Sequence, residues 1–341
     1  MDANTYEWRP EKTLLMHISR ATGTIPKIIT EGKKVVGISL SGAKIVDVSL
    51  IAELKNLRML SLSNCKHIIN VSAISKLTSL RLLEISYARI NDIWFVRDLK
   101  NLIYLSIRGC IKVRDIRPIR GLRTLRTLTL DKTTIQTIEP ISGLKNLARL
   151  SLWACKFVDD FSPIKKLKNL LELNLGSTDF EDAKILKPLG NLRILILCNC
   201  WKFSNGEHLR DKKLLDTLYL DFTSVDKFDF ISHLKVLRRL SLQGCAVEDI
   251  EFLSNLRELI YLDLGGTSIY DISPLSRLKK LRILNLINCR YLEDISPIEH
   301  LHNLEILDLG NSAVIDLEPV SYTHLRAHET EADLVCRLLL E

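Results

Sequence analysis

The chain has 341 residues, of which 46% are hydrophobic and 26% are charged, the composition of a folded protein rather than a disordered one. It has no apolar run near the ~20 residues of a membrane span. The start Met1-Asp2-Ala3 is acidic, and Leu14-Leu15-Met16 is too short for a signal peptide. We therefore expect an intracellular protein, cytoplasmic or nuclear, with no membrane partner.

The first 34 residues precede the regular part of the sequence. Leu14, Leu15 and Ile18 have helical spacing, which predicts a short helix. We expect residues 1–34 to flank or cap the open edge of the sheet that follows, because an exposed parallel edge needs cover.

From Val35 to Pro319 the chain repeats one unit of 22–23 residues about thirteen times. Each unit reads L-x-x-L-x-L-x-x-[C/T/A/S], as in Leu147-Leu150-Leu152-Cys155. We call the last position of this motif the ladder position. Cysteine occupies it in alternate units, at spacings of 45, 45, 45, 45 and 44 residues. These cysteines are Cys65, Cys110, Cys155, Cys200, Cys245 and Cys289. A fixed period of this kind indicates a stack of identical units.

The repeat predicts an α/β solenoid. The L-x-L core alternates with period two, which is typical of a short strand with its leucines on one side, and successive units place these strands in parallel. The return half reads D-I-x-P, as in Asp115–Ile119 and Asp271–Leu275. Proline cannot donate to a sheet, so we expect 3₁₀ or irregular turns there. The parallel sheet should line the concave face and the turns the convex face.

This pattern resembles the leucine-rich-repeat proteins, specifically the short internalin-like class with its D-I-x-P-[I/L] return. The alternation of cysteine and threonine units is also similar to leucine-rich-repeat proteins of kinetoplastid parasites. Family members usually carry asparagine at the ladder position, where this chain has Cys, Thr, Ala or Ser. The resemblance implies a horseshoe-shaped solenoid.

The last 22 residues, 320–341, do not continue the repeat. Val320–Thr330 resembles one reading frame of a sequencing adapter, and Leu334–Glu341 resembles the primer sequence that follows it. We interpret 320–341 as a non-native tail. On this interpretation the native protein continues beyond Pro319.

No catalytic or metal-binding motif is present, so we expect no enzymatic activity, no metal and no cofactor. Cys198 and Cys200 should lie on opposite faces of their strand, which argues against chelation. Cysteines two units apart should be ~9–10 Å apart at normal strand spacing, beyond the ~7 Å limit for a disulfide. We expect these thiols to be reduced and buried.

Basic residues recur beside the strands. Six units place arginine directly after the first leucine of the motif: Arg58, Arg81, Arg126, Arg193, Arg238 and Arg282. This edge is either a solvated rim or a docking surface for an acidic protein or nucleic acid. No nucleic-acid-binding motif supports a nucleic-acid partner.

The residues between and after the core leucines should point out from the concave face. They are small in the terminal units but aromatic or charged in the central ones, and Tyr and Trp with Arg are typical anchors of interfaces. The candidate partner-binding residues are Arg108, Asp131, Arg149, Trp153, Cys198, Tyr219, Asp221 and Phe222. Tyr87 and Tyr104 should lie nearby. An alternative is that the aromatic rings only cover neighbouring backbone.

We therefore predict a monomeric, non-enzymatic module that binds a protein partner, possibly an acidic one, on its concave face. The alternative is the recognition arm of a larger, truncated enzyme, such as a ubiquitin ligase or an effector.

Overall fold

The computed structural model describes residues 10–65 and 67–320, so the predicted tail lies outside the described residues except for Val320. The chain forms two compact units, one up to Leu173 and one from Asn174 onwards. Each unit consists of short strands and turns that repeat along the chain.

The first unit begins with helix α1 (Pro10–Thr22), whose Ile18 is buried. Strand β1 (Lys27–Glu31) follows and pairs antiparallel with β2 (Lys34–Ser39), and Gly32 in the connecting turn has a φ of +59°. The predicted helix at Leu14–Ile18 thus lies within α1. Strand β1 covers the edge of β2 that the parallel sheet leaves open.

The remaining strands of the first unit have three residues each and pair in parallel with the next repeat. The leucines are in register, since Leu60, Leu83, Leu105, Leu128 and Leu150 are direct partners. The sheet strands after β2 are β4 (Met59–Ser61), β6 (Leu82–Glu84), β7 (Tyr104–Ser106), β8 (Thr127–Thr129) and β9 (Arg149–Ser151). A small parallel pair of β3 (Ile45–Asp47) and β5 (His67–Ile69), together with the short helix α2 (Val48–Ile51), belongs to the first repeats.

The second unit repeats this arrangement. Strand β10 (Glu172–Asn174) spans the division of the chain at Leu173. The later strands pair in parallel in sequence order: β11 (Ile194–Ile196), β12 (Thr217–Tyr219), β13 (Arg239–Ser241), β14 (Tyr261–Asp263), β15 (Ile283–Asn285) and β16 (Ile306–Asp308). Their central leucines are again direct partners, from Leu195 to Leu307.

The return half of each repeat contains a short 3₁₀ turn. In six of these turns proline occupies the second position, where its missing N–H costs nothing. An aspartate often precedes the turn and accepts a hydrogen bond from the backbone N–H two residues later, as Asp115 does from Arg117. The turns are Val71–Lys76, Trp94–Asp98, Arg117–Gly121, Glu139–Gly143, Ser162–Lys166, Ala183–Leu186, Glu207–Leu209, Asp229–His233, Glu251–Leu253, Ser273–Arg277, Ser296–His300 and Glu318–Val320.

The core lies between the strands and the turns. Except in the last repeat, where Leu307 and Leu309 are half-buried, the leucines of the L-x-L motif are almost completely buried, for example Leu150 and Leu152. The six ladder cysteines are also buried, and each Sγ lies within hydrogen-bonding distance of a carbonyl oxygen of the preceding repeat. The predicted fold, a leucine-rich-repeat solenoid with a parallel sheet and 3₁₀ turns, is confirmed.

Candidate functional site

The solvent-facing side of the sheet in the first unit carries a cluster of cationic and aromatic side chains. The guanidinium carbon of Arg108 lies 5.7 Å from the ring centroid of Tyr87 and 5.6 Å from that of Trp153. The Nζ atom of Lys132 lies 4.5 Å from the same Trp153 ring. Such distances are typical of cation–π contacts. We call Tyr87, Arg108, Asp131, Lys132 and Trp153 the Arg108 cluster.

Arg108 is held in this cluster without a complete set of hydrogen bonds. Its Nε is buried and has no hydrogen-bond partner among the described residues. The nearest carboxylate oxygen, Oδ2 of Asp131, is 3.9 Å from Nε, which is too long for a hydrogen bond. The side chain of Arg108 is 22% exposed, so its guanidinium remains accessible from solvent.

Asp131 forms a long ion pair with Arg108 through Oδ2, and its other carboxylate oxygen binds the backbone of the next repeat. Its Oδ1 accepts a hydrogen bond of 3.1 Å from the backbone N–H of Trp153. Burial raises the pKa of Asp131, while a hydrogen bond from Ser151 and the positive charge of Arg108 act in the opposite direction. Asp131 was expected to face solvent, but it is only 6% exposed because the cluster covers it.

The residue directly before the ladder position has a positive φ in all thirteen repeats. Eight of these residues are glycine or asparagine, the types that adopt this conformation most readily. The five exceptions, which lie between residues 87 and 222, are Tyr87, Lys132, Ala154, Ser177 and Phe222. Strained backbone at non-glycine residues is often associated with function. Two of these exceptions, Tyr87 and Lys132, belong to the Arg108 cluster.

Lys132 was not among the predicted binding residues. It immediately precedes the ladder residue Thr133, the same position in the repeat as the predicted residue Phe222 before Thr223. The glycine and asparagine that other repeats carry at this position are a signal in the sequence that would have identified it.

The second unit contains a separate group around Asp221. The Sγ atom of Cys198 donates to Oδ2 of Asp221 over 2.9 Å, and Ser241 and the backbone N–H of Gln243 donate to Oδ1. Phe222 is 50% exposed, and its ring covers Gly244, where an added Cβ would meet the ring at 2.4 Å. Only Phe222 in this group presents a large exposed surface.

Two predicted residues of the second unit are less accessible than expected. Tyr219 is 6% exposed because its ring packs against Tyr261 at a centroid distance of 6.3 Å. Asp221 is 5% exposed, since Cys198 and Ser241 enclose its carboxylate, and burial raises its pKa. The expectation that both side chains lie on an open surface was therefore wrong.

Asp263 was also missed from the sequence. It is 1% exposed and accepts hydrogen bonds from the backbone N–H of Gly265, from Tyr261 and from Asn285. Burial raises its pKa to about 6, and the negative charge of Asp221 contributes to the same shift. These contacts indicate a buried polar network rather than a binding surface.

Arg149 lies on the exposed sheet face as predicted, but it already has a partner. Its Nε donates to Glu172 over 3.0 Å. On the basic edge, Arg58 and Arg282 are similarly paired, with Glu31 and Glu305. These arginines have carboxylates of the same chain as partners, whereas Arg108 lacks a hydrogen bond to one.

The described residues offer neither a metal site nor a membrane-spanning helix. Residues 10–65 and 67–320 contain no group of three or more His, Cys, Asp or Glu side chains placed to hold a metal ion. Among the helices that the structure describes, none has the length and hydrophobicity needed to cross a lipid bilayer.

The repeat pattern matches two family models. A leucine-rich repeat region model matches residues 34–271, and a model of two leucine-rich repeats matches residues 257–300. The chain belongs to the leucine-rich-repeat family. Comparison with curated protein sequences finds no match.

Several solved structures resemble this leucine-rich-repeat chain. The internalin inlF from Listeria monocytogenes is 24% identical, covering 93% of this chain and 95% of that one, with a TM-score of 0.76. The functional domain of InlJ from Listeria monocytogenes, which includes a cysteine ladder, is 17% identical, covering 86% and 67%, with a TM-score of 0.67. The plant peptide hormone receptor RGFR1, in complex with RGF2, is 20% identical, covering 84% and 52%, with a TM-score of 0.59. At these identities the likeness supports the internalin-like fold.

Proposed function

We propose that this leucine-rich-repeat protein is a non-enzymatic interaction module that binds a protein partner on the solvent-facing side of its sheet. The observation that carries this proposal is the Arg108 cluster. It places Tyr87, Arg108 and Trp153, residue types that dominate interface energetics, on an open face of the first unit. Tyr87 is 43% exposed, although it belongs to a position where the backbone favours glycine or asparagine.

The family supports this proposal in general terms. Leucine-rich repeats form extended sheets whose exposed side chains are free to vary while the leucines maintain the fold. The similar plant peptide hormone receptor was solved in complex with RGF2, which supports a peptide or a protein loop as the kind of ligand. Phe222 in the second unit provides another exposed aromatic anchor.

We also propose that the protein acts in a reducing compartment, the cytoplasm or the nucleus. Seven cysteines lie within the described residues, and all of them are free. Burial raises the pKa of Cys110 and of Cys155 to about 11, which keeps these thiols protonated and unreactive at neutral pH. Microscopy of the tagged protein in its own cells tests this location, and a signal outside the cell would contradict it.

The binding proposal is tested by comparing two tryptophan variants. Proteins captured from an extract of the source cells by the wild-type chain are compared with those captured by Trp153→Ala and by Trp201→Ala. Trp201 is 61% exposed but follows the ladder residue Cys200, away from the sheet face. We expect Trp153→Ala to lose the specific partner and Trp201→Ala to retain it. Equal capture by Trp153→Ala would place the binding surface elsewhere.

A further inference from the structure

The Arg108 cluster has an excess of positive charge on its exposed side. It contains two cations, Arg108 and Lys132, and one carboxylate, Asp131. That carboxylate is buried and hydrogen-bonded to the backbone of Trp153. Neither the guanidinium of Arg108 nor the ammonium of Lys132 donates a hydrogen bond to another described residue, and the Nε of Arg108 is buried without a partner.

Other arginines of the chain donate hydrogen bonds to a carboxylate, which Arg108 does not. Arg149, on the same sheet face, donates to Glu172 over 3.0 Å. Arg282 holds Glu305 with both Nε and Nη2, the forked geometry in which guanidinium and carboxylate fit best. Arg108, by contrast, forms an ion pair with Oδ2 of Asp131 at 3.9 Å from Nε, a distance too long for a hydrogen bond.

We propose that the Arg108 cluster binds a carboxylate group carried by an extended acidic peptide segment of the partner. The two Nη groups of Arg108 supply a forked pair of donors, since its Nε is buried, and Lys132 supplies a second positive charge. This inference rests on the proposed function and names the chemistry of the ligand.

The aromatic rings of Tyr87 and Trp153 hold the side chain of Arg108 in place before a ligand binds. The guanidinium carbon of Arg108 lies over the rings of Tyr87 and Trp153 at 5.7 Å and 5.6 Å, which restricts the movement of this group before a ligand binds. Tyr87 is itself held in place because its ring covers Gly109, where an added Cβ would lie 2.4 Å from the ring. A preorganised arginine loses less conformational entropy on binding than a free one.

The dimensions of the cluster suit a short extended peptide. Tyr87 belongs to the third repeat and Trp153 to the sixth, but their ring centroids lie 5.7 Å and 5.6 Å from the guanidinium carbon of Arg108, so the two centroids are at most about 11 Å apart. An extended chain covers this distance in about three or four residues. One acidic residue in such a segment would reach Arg108 while its neighbours contact the two rings.

Peptide arrays test the proposal with the full chain. One array holds random peptides with amidated C-termini, and a second holds random peptides ending in a free carboxylate. We expect the wild type to select Asp or Glu at one fixed position of the amidated peptides, or the free terminus of the second array. Replacing the selected acid by its amide, or amidating the selected terminus, should then abolish binding. Selection without any fixed carboxylate would overturn the proposal.

Substitutions within the Arg108 cluster provide a second test of the proposal. Arg108→Gln should weaken binding of the selected peptide about 10-fold or more, the usual effect of losing hydrogen bonds between charged groups. Arg108→Lys should fail to restore it, because an ammonium group lacks the planar fork. Lys132→Asn should weaken binding up to ~5-fold. Unchanged affinity in Arg108→Gln would overturn the proposal.

Two controls separate this result from misfolding and from failure of the proposed function. Lys132→Asn introduces a residue that other repeats carry at this position of positive φ. The thermal stability of the variant should therefore not fall below that of the wild type. Arg117→Gln removes an arginine of a return turn that is already paired with Asp115 and should leave peptide binding unchanged. If Trp153→Ala abolishes partner capture but Arg108→Gln does not, the proposed function stands and the carboxylate site does not.

Discussion

The hydroxyl group of Thr133 and the thiol group of Cys155 share one acceptor, the carbonyl oxygen of Leu130, at 2.7 Å and 3.1 Å. The same sharing recurs at Leu175, Leu220 and Leu264. A threonine repeat and the cysteine repeat after it therefore form one hydrogen-bonded pair. This relationship gives a physical reason for the two-repeat period in the sequence.

The shared acceptor predicts coupling between the two donors. Thr133→Ala or Cys155→Ala alone leaves the carbonyl of Leu130 with one side-chain donor, whereas the double variant leaves only the long 3.3 Å bond from the backbone N–H of residue 133. We expect the double variant to lose at least ~0.5 kcal/mol more stability than the sum of the single variants. Denaturant unfolding of all four proteins measures this difference. The control pair Thr133→Ala with Cys110→Ala, whose acceptors differ, should be additive.

Much of this fold was predictable from the sequence because each repeat specifies itself locally. The L-x-L period determines which leucines are buried, and the D-I-x-P return determines the turn. The 22–23-residue spacing brings equivalent leucines into register, as Leu128 and Leu150 show. None of these inferences needs knowledge of a distant side chain.

The candidate site was less predictable because its geometry depends on side chains from different repeats. Tyr219 points away from the core, as its position in the strand requires, but Tyr261 covers it. Arg108 reaches from the fourth repeat to the ring of Trp153 in the sixth. A long side chain can pack against any of several neighbouring residues, and the repeat pattern does not indicate which neighbour it contacts.

The buried leucines should dominate stability. Leu150→Ala removes a side chain that is 2% exposed in the middle of a sheet, and the cavity should cost ~2–5 kcal/mol. Leu214→Ala is a matched control, since Leu214 is 45% exposed and should cost less than ~1 kcal/mol. Denaturant unfolding compares the two. Equal losses would show that the assigned register of the repeat is wrong.

At a residue with a positive φ, a substitution should increase stability instead of decreasing it. Ala154 has a φ of +56°, which costs a residue with a Cβ about 1 kcal/mol or more. Ala154→Gly should therefore raise the free energy of unfolding by up to ~1 kcal/mol. Ala148→Gly, at a position without a positive φ, should lower it by a similar amount. Thermal unfolding of both variants decides whether the backbone at Ala154 is strained.

Asp263 should make stability depend on pH. Its pKa rises from 3.8 to about 6 on folding, so the native state favours the protonated carboxyl. Its contribution to stability is fully present below the unfolded pKa near 4 and is lost as pH rises through about 6. Asp263→Asn removes this loss. The free energy of unfolding of the variant, relative to that of the wild type, should therefore rise by up to ~3 kcal/mol between pH 4 and pH 7.

Denaturant unfolding at several pH values measures that difference. Asp294→Asn is a control of opposite sign, because a hydrogen bond from Ser296 lowers the pKa of Asp294. The stabilisation from Asp294 is present above its unfolded pKa and is lost as pH falls. A difference between Asp263→Asn and wild type that does not change with pH would mean that Asp263 titrates normally in the native state.

Thiol labelling tests the arrangement around Asp221. Cys198 is partly exposed, but burial and then the Asp221 carboxylate raise its pKa, and the thiol donates to that carboxylate over 2.9 Å. Because the thiolate is the reactive form, native Cys198 should react slowly despite its exposure. Asp221→Asn removes the negative charge and should accelerate labelling of Cys198 severalfold. Cys200, which is buried beside Thr178, should stay unlabelled in both proteins until denaturant is added. Mass spectrometry of the modified peptides measures both rates, and equally slow labelling of Cys198 in Asp221→Asn would show that burial alone protects this thiol.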